Sequence, residues 1–270
     1  MKKILLFAGI LLLAACGGNS DSTSTHESVE ELKTHTLPRI EGVWVMTDYI
    51  TKMEAVRSPK QASDVLDGIV VLAVNKKYVR ADSMDAGVNW NNHEGLKFTI
   101  YFKRGIAENS LQTSLKDDKG FFEIAAQDST MVLYHYDAGK KLIDKRSFTK
   151  VLRQEINSDM SFGIEYIVNK KLFKGMYACT DSLAKKSDVE LTIDGKIKGL
   201  EDYKYYVAAT DFMDEYSNLD YIIFVKNEKS SETLGYRNSN DSIYFYTINR
   251  NEKDATISYG KLRYTFVRKK

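Results

Sequence analysis

With 270 residues, 43% of them apolar and only two prolines, the chain can bury one large core or two of ordinary size, and its composition is not that of a disordered protein. Its 39 Lys and Arg nearly balance 37 Asp and Glu, and the net charge of +2 supplies no field for a polyanion, which excludes nucleic acid as the expected partner. Tyrosine and phenylalanine, 17 and 12 in number, favour strands, where flat side chains pack on a pleated surface.

Lys2 and Lys3 precede an uncharged apolar run over residues 4–15. Its length of about a dozen residues falls short of the ~20 that a membrane-spanning helix needs, so the run reads as the core of a signal peptide. It ends in Leu13-Ala14-Ala15-Cys16, which resembles the lipobox of bacterial lipoproteins. The resemblance implies cleavage before Cys16, lipidation of that cysteine, and a mature protein tethered to a membrane without spanning it. A plain secretory signal with an accidental cysteine is the competing reading. Gly17, where an aspartate would mark retention in the enteric sorting pattern, points by resemblance to the outer membrane of a bacterial envelope. With Cys16 consumed, Cys179 has no partner in the chain, and no intramolecular disulfide is expected.

Residues 17–25 hold no apolar side chain and read as a flexible tether. Val29, Leu32 and Leu37, behind Ser28 as a cap before Glu31, predict a short amphipathic helix that Pro38 ends. Then comes a strand that the chain uses twice. Gly42-Val43-Trp44-Val45-Met46-Thr47-Asp48 and Gly175-Met176-Tyr177-Ala178-Cys179-Thr180-Asp181 share glycine, an aromatic, threonine and aspartate at the same places. Each copy opens roughly a hundred residues of short strands and turns, so two related β modules are expected.

In the first module, residues 43–49 alternate as a strand, and residues 51–67 read as a long connection with a helical turn. Residues 68–74 read as a strand that Asn75-Lys76-Lys77 turns. Residues 85–95, rich in Gly and Asn around Trp90, read as a loop. Leu96, Phe98, Ile100 and Phe102 alternate with polar residues as a half-buried strand. Residues 121–127, 131–136 and 147–153 complete a meander of about eight strands, a size that normally curls and closes.

Residues 154–170 read as a helix or an extra strand leading the second module, in the place that residues 27–37 hold before the first. Asp194-Gly195 is a hairpin signal, and residues 203–209, 221–226, 242–249 and 255–268 are the later strands. The modules end alike, Phe148-Thr149-Lys150-Val151-Leu152-Arg153 against Tyr264-Thr265-Phe266-Val267-Arg268. The expected fold class is all-β: two tandem antiparallel meander barrels, each preceded by a short helical segment. The expected divisions are a signal peptide over 1–15, a lipidated tether and leading segment over 16–37, a barrel over 38–154, a linker over 155–169 and a second barrel over 170–270.

A strand opening Gly42-Val43-Trp44, followed by a meander that ends in an arginine-bearing strand, resembles the lipocalin pattern. The resemblance implies a barrel with one open end and an apolar cavity. It also implies Trp44 packed at the closed end under Arg153, and Tyr177 under Arg263 or Arg268. Read on its own, Trp44 is a core aromatic at the start of a strand.

His26, His35, His93 and His135 show no metal-site spacing, no serine lies in a Gly-x-Ser-x-Gly elbow, and no Gly-rich phosphate loop follows a strand. Cys179 takes the place of Met46 in the repeat and reads as a buried apolar position. His135 reads as a satisfied strand residue, Asp48 and Asp181 as turn caps, and Asp117-Asp118 and Asp214-Glu215 as solvated turn residues. No catalytic or metal-binding residue, no cofactor and no enzymatic activity is expected. Two functions stay open. One is a lipid-anchored envelope protein binding a small apolar or amphipathic molecule in a barrel mouth. The other is a surface or periplasmic protein-interaction module with side-chain-filled barrels, its loop at Trp90 the first contact for a partner.

Overall fold

The computed structural model describes residues 27–127, 129–153, 162–200 and 202–270. The expected signal peptide, Cys16, the expected tether and residues 155–161 of the expected linker lie outside the described residues. Two eight-stranded antiparallel meanders follow one another along the chain, the first a closed barrel and the second nearly closed.

The first barrel runs β1 (Gly42–Met46), β2 (Ile69–Val79), β3 (Ser83–Trp90) and β4 (Glu94–Arg104). It continues through β5 (Leu111–Lys116), β6 (Gly120–Gln127), β7 (Thr130–Asp137) and β8 (Leu142–Leu152), which pairs back onto β1. The second runs β9 (Gly175–Asp181), β10 (Lys186–Leu191), β11 (Ile197–Lys198) and β12 (Tyr205–Ala208). Then come β13 (Tyr221–Asn227), β14 (Ser230–Ser239), β15 (Ser242–Asn251) and β16 (Thr256–Arg268), which lies beside β9. Because β11 is so short, the cylinder is joined there by Ile197 N–H to the Lys204 carbonyl (2.8 Å) and Tyr206 N–H to the Gly195 carbonyl (2.6 Å).

Each barrel is led by a helix whose last carbonyl is taken by the barrel's own aromatic. Helix α1 (Val29–Ile40) starts with the Ser28–Glu31 capping box and buries Leu32 and Ile40. It runs on through Pro38 rather than stopping before it. Pro38 costs the helix one hydrogen bond of its last turn, and the Trp44 indole N–H takes the last carbonyl, that of Ile40, at 2.8 Å. After β1 the chain forms α2 (Thr47–Val56) and α3 (Pro59–Ala62), where a strand to residue 49 and then a long connection were expected. Residues 47–49 fit either period. Burial decides, because Tyr49, Ile50 and Met53 fall on one helical face and are all buried. The second module is led by α4 (Phe162–Val168), which continues as a π turn to Phe173. Here the Tyr177 hydroxyl donates to the Phe173 carbonyl at 2.5 Å, again four residues back.

Two further expectations in the first barrel change. β2 continues straight through Asn75-Lys76-Lys77 to Val79, with an irregular register that takes up the polar residues. Residues 83–90 are a strand, not a loop: Met84, Ala86 and Val88 face inward between Asp85, Gly87 and Asn89, so a period of two lies beneath the loop-like composition. The turn itself is only Asn91–His93, and Asn91 and Asn92 adopt the left-handed conformation that asparagine tolerates.

The apolar interior is continuous across both modules. Helix α4 lies on the outside of β1 and β2, where Gly163 sits so close to Val43, Val45 and Val71 that any side chain would collide with Val43. This explains why β1 and the first half of β2 are buried on both faces.

Candidate functional site

Inward-facing side chains fill the first barrel. Trp44, Leu72, Ile100, Ile124, Leu133 and Phe148 are each 1% exposed or less. At the end away from α1, where a lipocalin-like barrel would open, stands a polar cluster. His135 stacks on Phe122 at 4.2 Å and meets Asp117 Oδ1 at 3.1 Å, with Asp144 at 4.0 Å. Arg146 lies beside Asp144 and donates to the Asp67 carbonyl. Asp117 is half-buried. Burial pushes its carboxyl up, but N–H groups of Gly120 and Lys119 and the His135 ring together hold it below the usual range. His135 is therefore a satisfied strand residue, whereas Asp117 is tied into the barrel and not simply solvated.

The second barrel is filled by rings. Phe173 meets Tyr206 and Tyr236, and Phe245 meets Tyr236, Phe224 and Phe266, with centroids 4.9–6.4 Å apart. Its far end remains recessed. A cleft of about 190 Å³ lies there, lined by Cys179, Asp181, Lys185, Ser187, Gly199, Leu200, Asp202, Tyr203, Arg263 and Tyr264.

Each wall follows from local sequence. In β9, Tyr177, Cys179 and Asp181 point inward by alternation, and Asp181 Oδ1 accepts the N–H groups of Leu183 and Lys185, tightening the turn to β10. Asp181 is thus the turn cap expected, while Asp48 sits in the first turn of α2, where a carboxylate suits the helix dipole. Over the other side comes the loop after β11. Gly199 has φ +89, and a side chain there would strike the Asp188 carbonyl at 1.8 Å, so only glycine lets Leu200 and Tyr203 turn over the mouth.

Behind the cleft, an inward carboxylate holds two of its lining residues. Glu232 on β14 shares the inner face with Leu234 and Tyr236, accepts the Tyr203 hydroxyl, and faces Arg263 Nε at 3.6 Å. Arg263 lies over the Tyr264 ring at 5.0 Å and donates to Ser182 Oγ at 3.2 Å; Lys226 lies over the Tyr203 ring at 5.0 Å. Burial, together with the neighbouring carboxylate, pushes the Tyr203 phenol far above its ordinary range, so it stays a donor. Burial also pushes the Cys179 thiol up, which keeps it protonated and a poor nucleophile. Among the described residues the cleft gathers two tyrosine rings and Leu200 with the carboxylates of Asp181 and Asp202 and the cations of Lys185 and Arg263. That is chemistry for holding an amphipathic molecule.

The other sequence-predicted residues fall elsewhere. Trp44 is fully buried, and the cation over its ring is Lys150 at 4.5 Å, not Arg153. The register sets Lys150 directly opposite Trp44 on the inner face, while Arg153 lies beyond the end of β8. In the second barrel the cation over Tyr177 is Arg268 at 5.0 Å, one of the two arginines expected. Trp90 ends β3 half-buried against the core, and the turn after it touches the second module of the same chain. Among the described residues no group of three or more His, Cys, Asp or Glu could hold a metal ion. Sequence reasoning passed over Tyr203, Glu232 and Leu200. The usable signal was Glu232 in alternation with Leu234 and Tyr236, a carboxylate on the apolar face of a strand.

A second cleft, of about 260 Å³, lies along the poorly closed side of the second barrel, between Phe162 and Asn169 of the leading helical segment and β12. No family model matches the chain, and no curated protein and no solved structure matches it significantly.

Proposed function

We propose that the chain is a non-catalytic binding protein of the bacterial cell envelope, anchored by lipid at Cys16, that holds a small amphipathic ligand in the mouth of its second, lipocalin-like barrel. The supporting observation is the contrast between the two barrel ends: ion-paired side chains occupy one, and the other keeps a cleft of about 190 Å³ where Leu200, Tyr203 and Tyr264 meet Ser187, Lys185 and Arg263. A recess in which aromatic side chains meet a few convergent polar groups can orient a small molecule. The filled interiors below restrict the ligand to the mouth, so it is smaller than the occupant of a hollow barrel. The lipobox-like end supplies the address.

Native mass spectrometry of the full chain, extracted gently from its host, tests this reading. A reproducible small adduct is expected on the natural protein and none on Leu200→Trp, which fills the cleft. An adduct retained by Leu200→Trp, or none on either, would sink it.

The interaction-module reading has one observation in its favour. Leu183, at the tip of the β9–β10 turn beside the cleft, is 85% exposed. Crosslinking in intact cells that captures one protein partner, lost on Leu183→Asp but kept by Leu200→Trp, would move the conclusion to that reading.

A further inference from the structure

The seam between the modules holds polar groups that the packing of neither barrel needs. Asp220, just before β13, is buried there. It accepts the Ser58 hydroxyl and the Lys60 N–H at 2.9 Å, both from the start of α3 in the first module. Tyr49 of α2 and Tyr236 of β14 approach from the two sides, and their fully buried hydroxyls have no partner among the described residues. At the rim, the turn after Trp90 meets the loop before β13. Asn92 Nδ2 donates to the Thr210 carbonyl at 2.6 Å, and His93 Nδ1 lies 2.7 Å from Asp211 Oδ2.

We propose that the modules dock through a proton-dependent clasp, in which proton binding at His93 and at Asp220 tightens the seam and proton loss loosens it. The groups facing His93 are Asp211, Asp214 and its chain neighbour Glu94, all acidic. The hydrogen bond to Asp211, then the charges of Asp211, Asp214 and Glu94, raise the imidazole above its free value of 6.5. Undocking removes Asp211 and Asp214. A raised histidine contributes its stabilisation fully below pH 6.5 and loses it as pH rises through the docked value.

The groups facing Asp220 are the Ser58 hydroxyl, the Lys60 N–H and ammonium, and the hydroxyls of Tyr49, Tyr236 and Tyr259. Burial pushes its carboxyl above 3.8, although Ser58 and Lys60 pull the other way. A charged Asp220 is thus penalised in the docked seam. The penalty stands at neutral pH, shrinks as pH falls through the docked value, and is gone below 3.8. Both groups take up protons on docking, the histidine in the neutral range and the carboxyl in the acid range. The unpartnered hydroxyls weaken the docked state further, since each buried polar atom without a partner costs about 1–3 kcal/mol. A seam so balanced responds to single protons.

Hydrogen exchange of the full chain, expressed as protection factors relative to intrinsic rates, tests the clasp at pH about 5.5 and about 8. Residues 58–62, 91–93 and 209–220 are expected to lose protection several-fold at the higher pH, while β6 and β7 do not change. His93 is half exposed, so His93→Gln folds whatever its role, and it should remove most of that change. Asp220→Asn should raise seam protection at pH about 8. Equal protection at both pH values overturns the clasp. So does a full pH response in His93→Gln.

Discussion

The two barrels share one closing device and differ in what they close over. In each, a leading helix ends four residues before an inward aromatic whose polar atom donates to the helix's last carbonyl, Trp44 to Ile40 and Tyr177 to Phe173. In each, a cation from the last strand covers that ring and reaches a carbonyl at the helix end, Lys150 to Arg39 (2.9 Å) and Arg268 to Lys174 (2.7 Å). Above this device the first barrel is mainly aliphatic and fully closed, while the second is aromatic and joined weakly at β11. Branched aliphatic side chains interdigitate and fill a cylinder without needing polar partners. Tyrosines fill it with rigid plates whose hydroxyls require acceptors, and those of Tyr203 and Tyr264 are met at the mouth by a carboxylate and by each other. One interior therefore ends in a packed cap and the other in a polar recess.

Breaking the shared device should show that it matters more than either filling. Trp44→Ala empties a fully buried site and is expected to destabilise the chain by about 3–5 kcal/mol in urea denaturation. Because the core is continuous, both barrels should lose stability together; a loss confined to the first would show that the modules unfold separately.

Alkali should separate the fillings. Burial, against the opposing charges of Arg268 and Arg57, pushes the Tyr177 phenol up to about 12. A raised phenol supports the fold fully below its free value of 10 and loses that support as pH rises through about 12. On the order of 2 kcal/mol should be lost across that window, with tyrosinate absorbance appearing as β13–β16 lose exchange protection before β2–β4. Simultaneous loss in both barrels would remove the distinction.

Gly199→Ala addresses the recess alone. The new methyl meets the Asp188 carbonyl in a left-handed conformation, and a loss of about 1–3 kcal/mol is expected, with exchange quickened around residues 199–204 and unchanged in the first barrel. Tyr177→Phe keeps the ring and deletes the two hydrogen bonds to the Phe173 carbonyl and from Arg268, for an expected loss of about 1 kcal/mol. Lys150→Met, measured the same way, should cost least, about 0.5–1 kcal/mol, since it removes a cation from a ring that stays packed.

Where the sequence was misread, a local pattern had two meanings. Thr47, Asp48 and Tyr49 continue the alternation of β1 and also open a helix, and only the burial of Tyr49 and Met53 on one face chooses the helix. Residues 83–90 carry the glycine and asparagine of a loop, yet pairing on both sides with β2 and β4 holds them extended. The candidate site was least legible. Leu200, Tyr203, Glu232 and Arg263 come from separate parts of the second half of the chain, and nothing in their spacing announces that they meet.

By itself the sequence determined the class and the count: an all-β chain, two modules, each opened by the same glycine–aromatic strand and led by a helical segment. Those properties are local, set by periodicity, turn chemistry and a repeated string. Tertiary structure decided which barrel closes, which cation covers Trp44, and where a recess remains. These depend on register and on which side chains face one another across strands far apart in the chain, and a one-residue shift in pairing would have put Lys150 outside and left Trp44 uncovered.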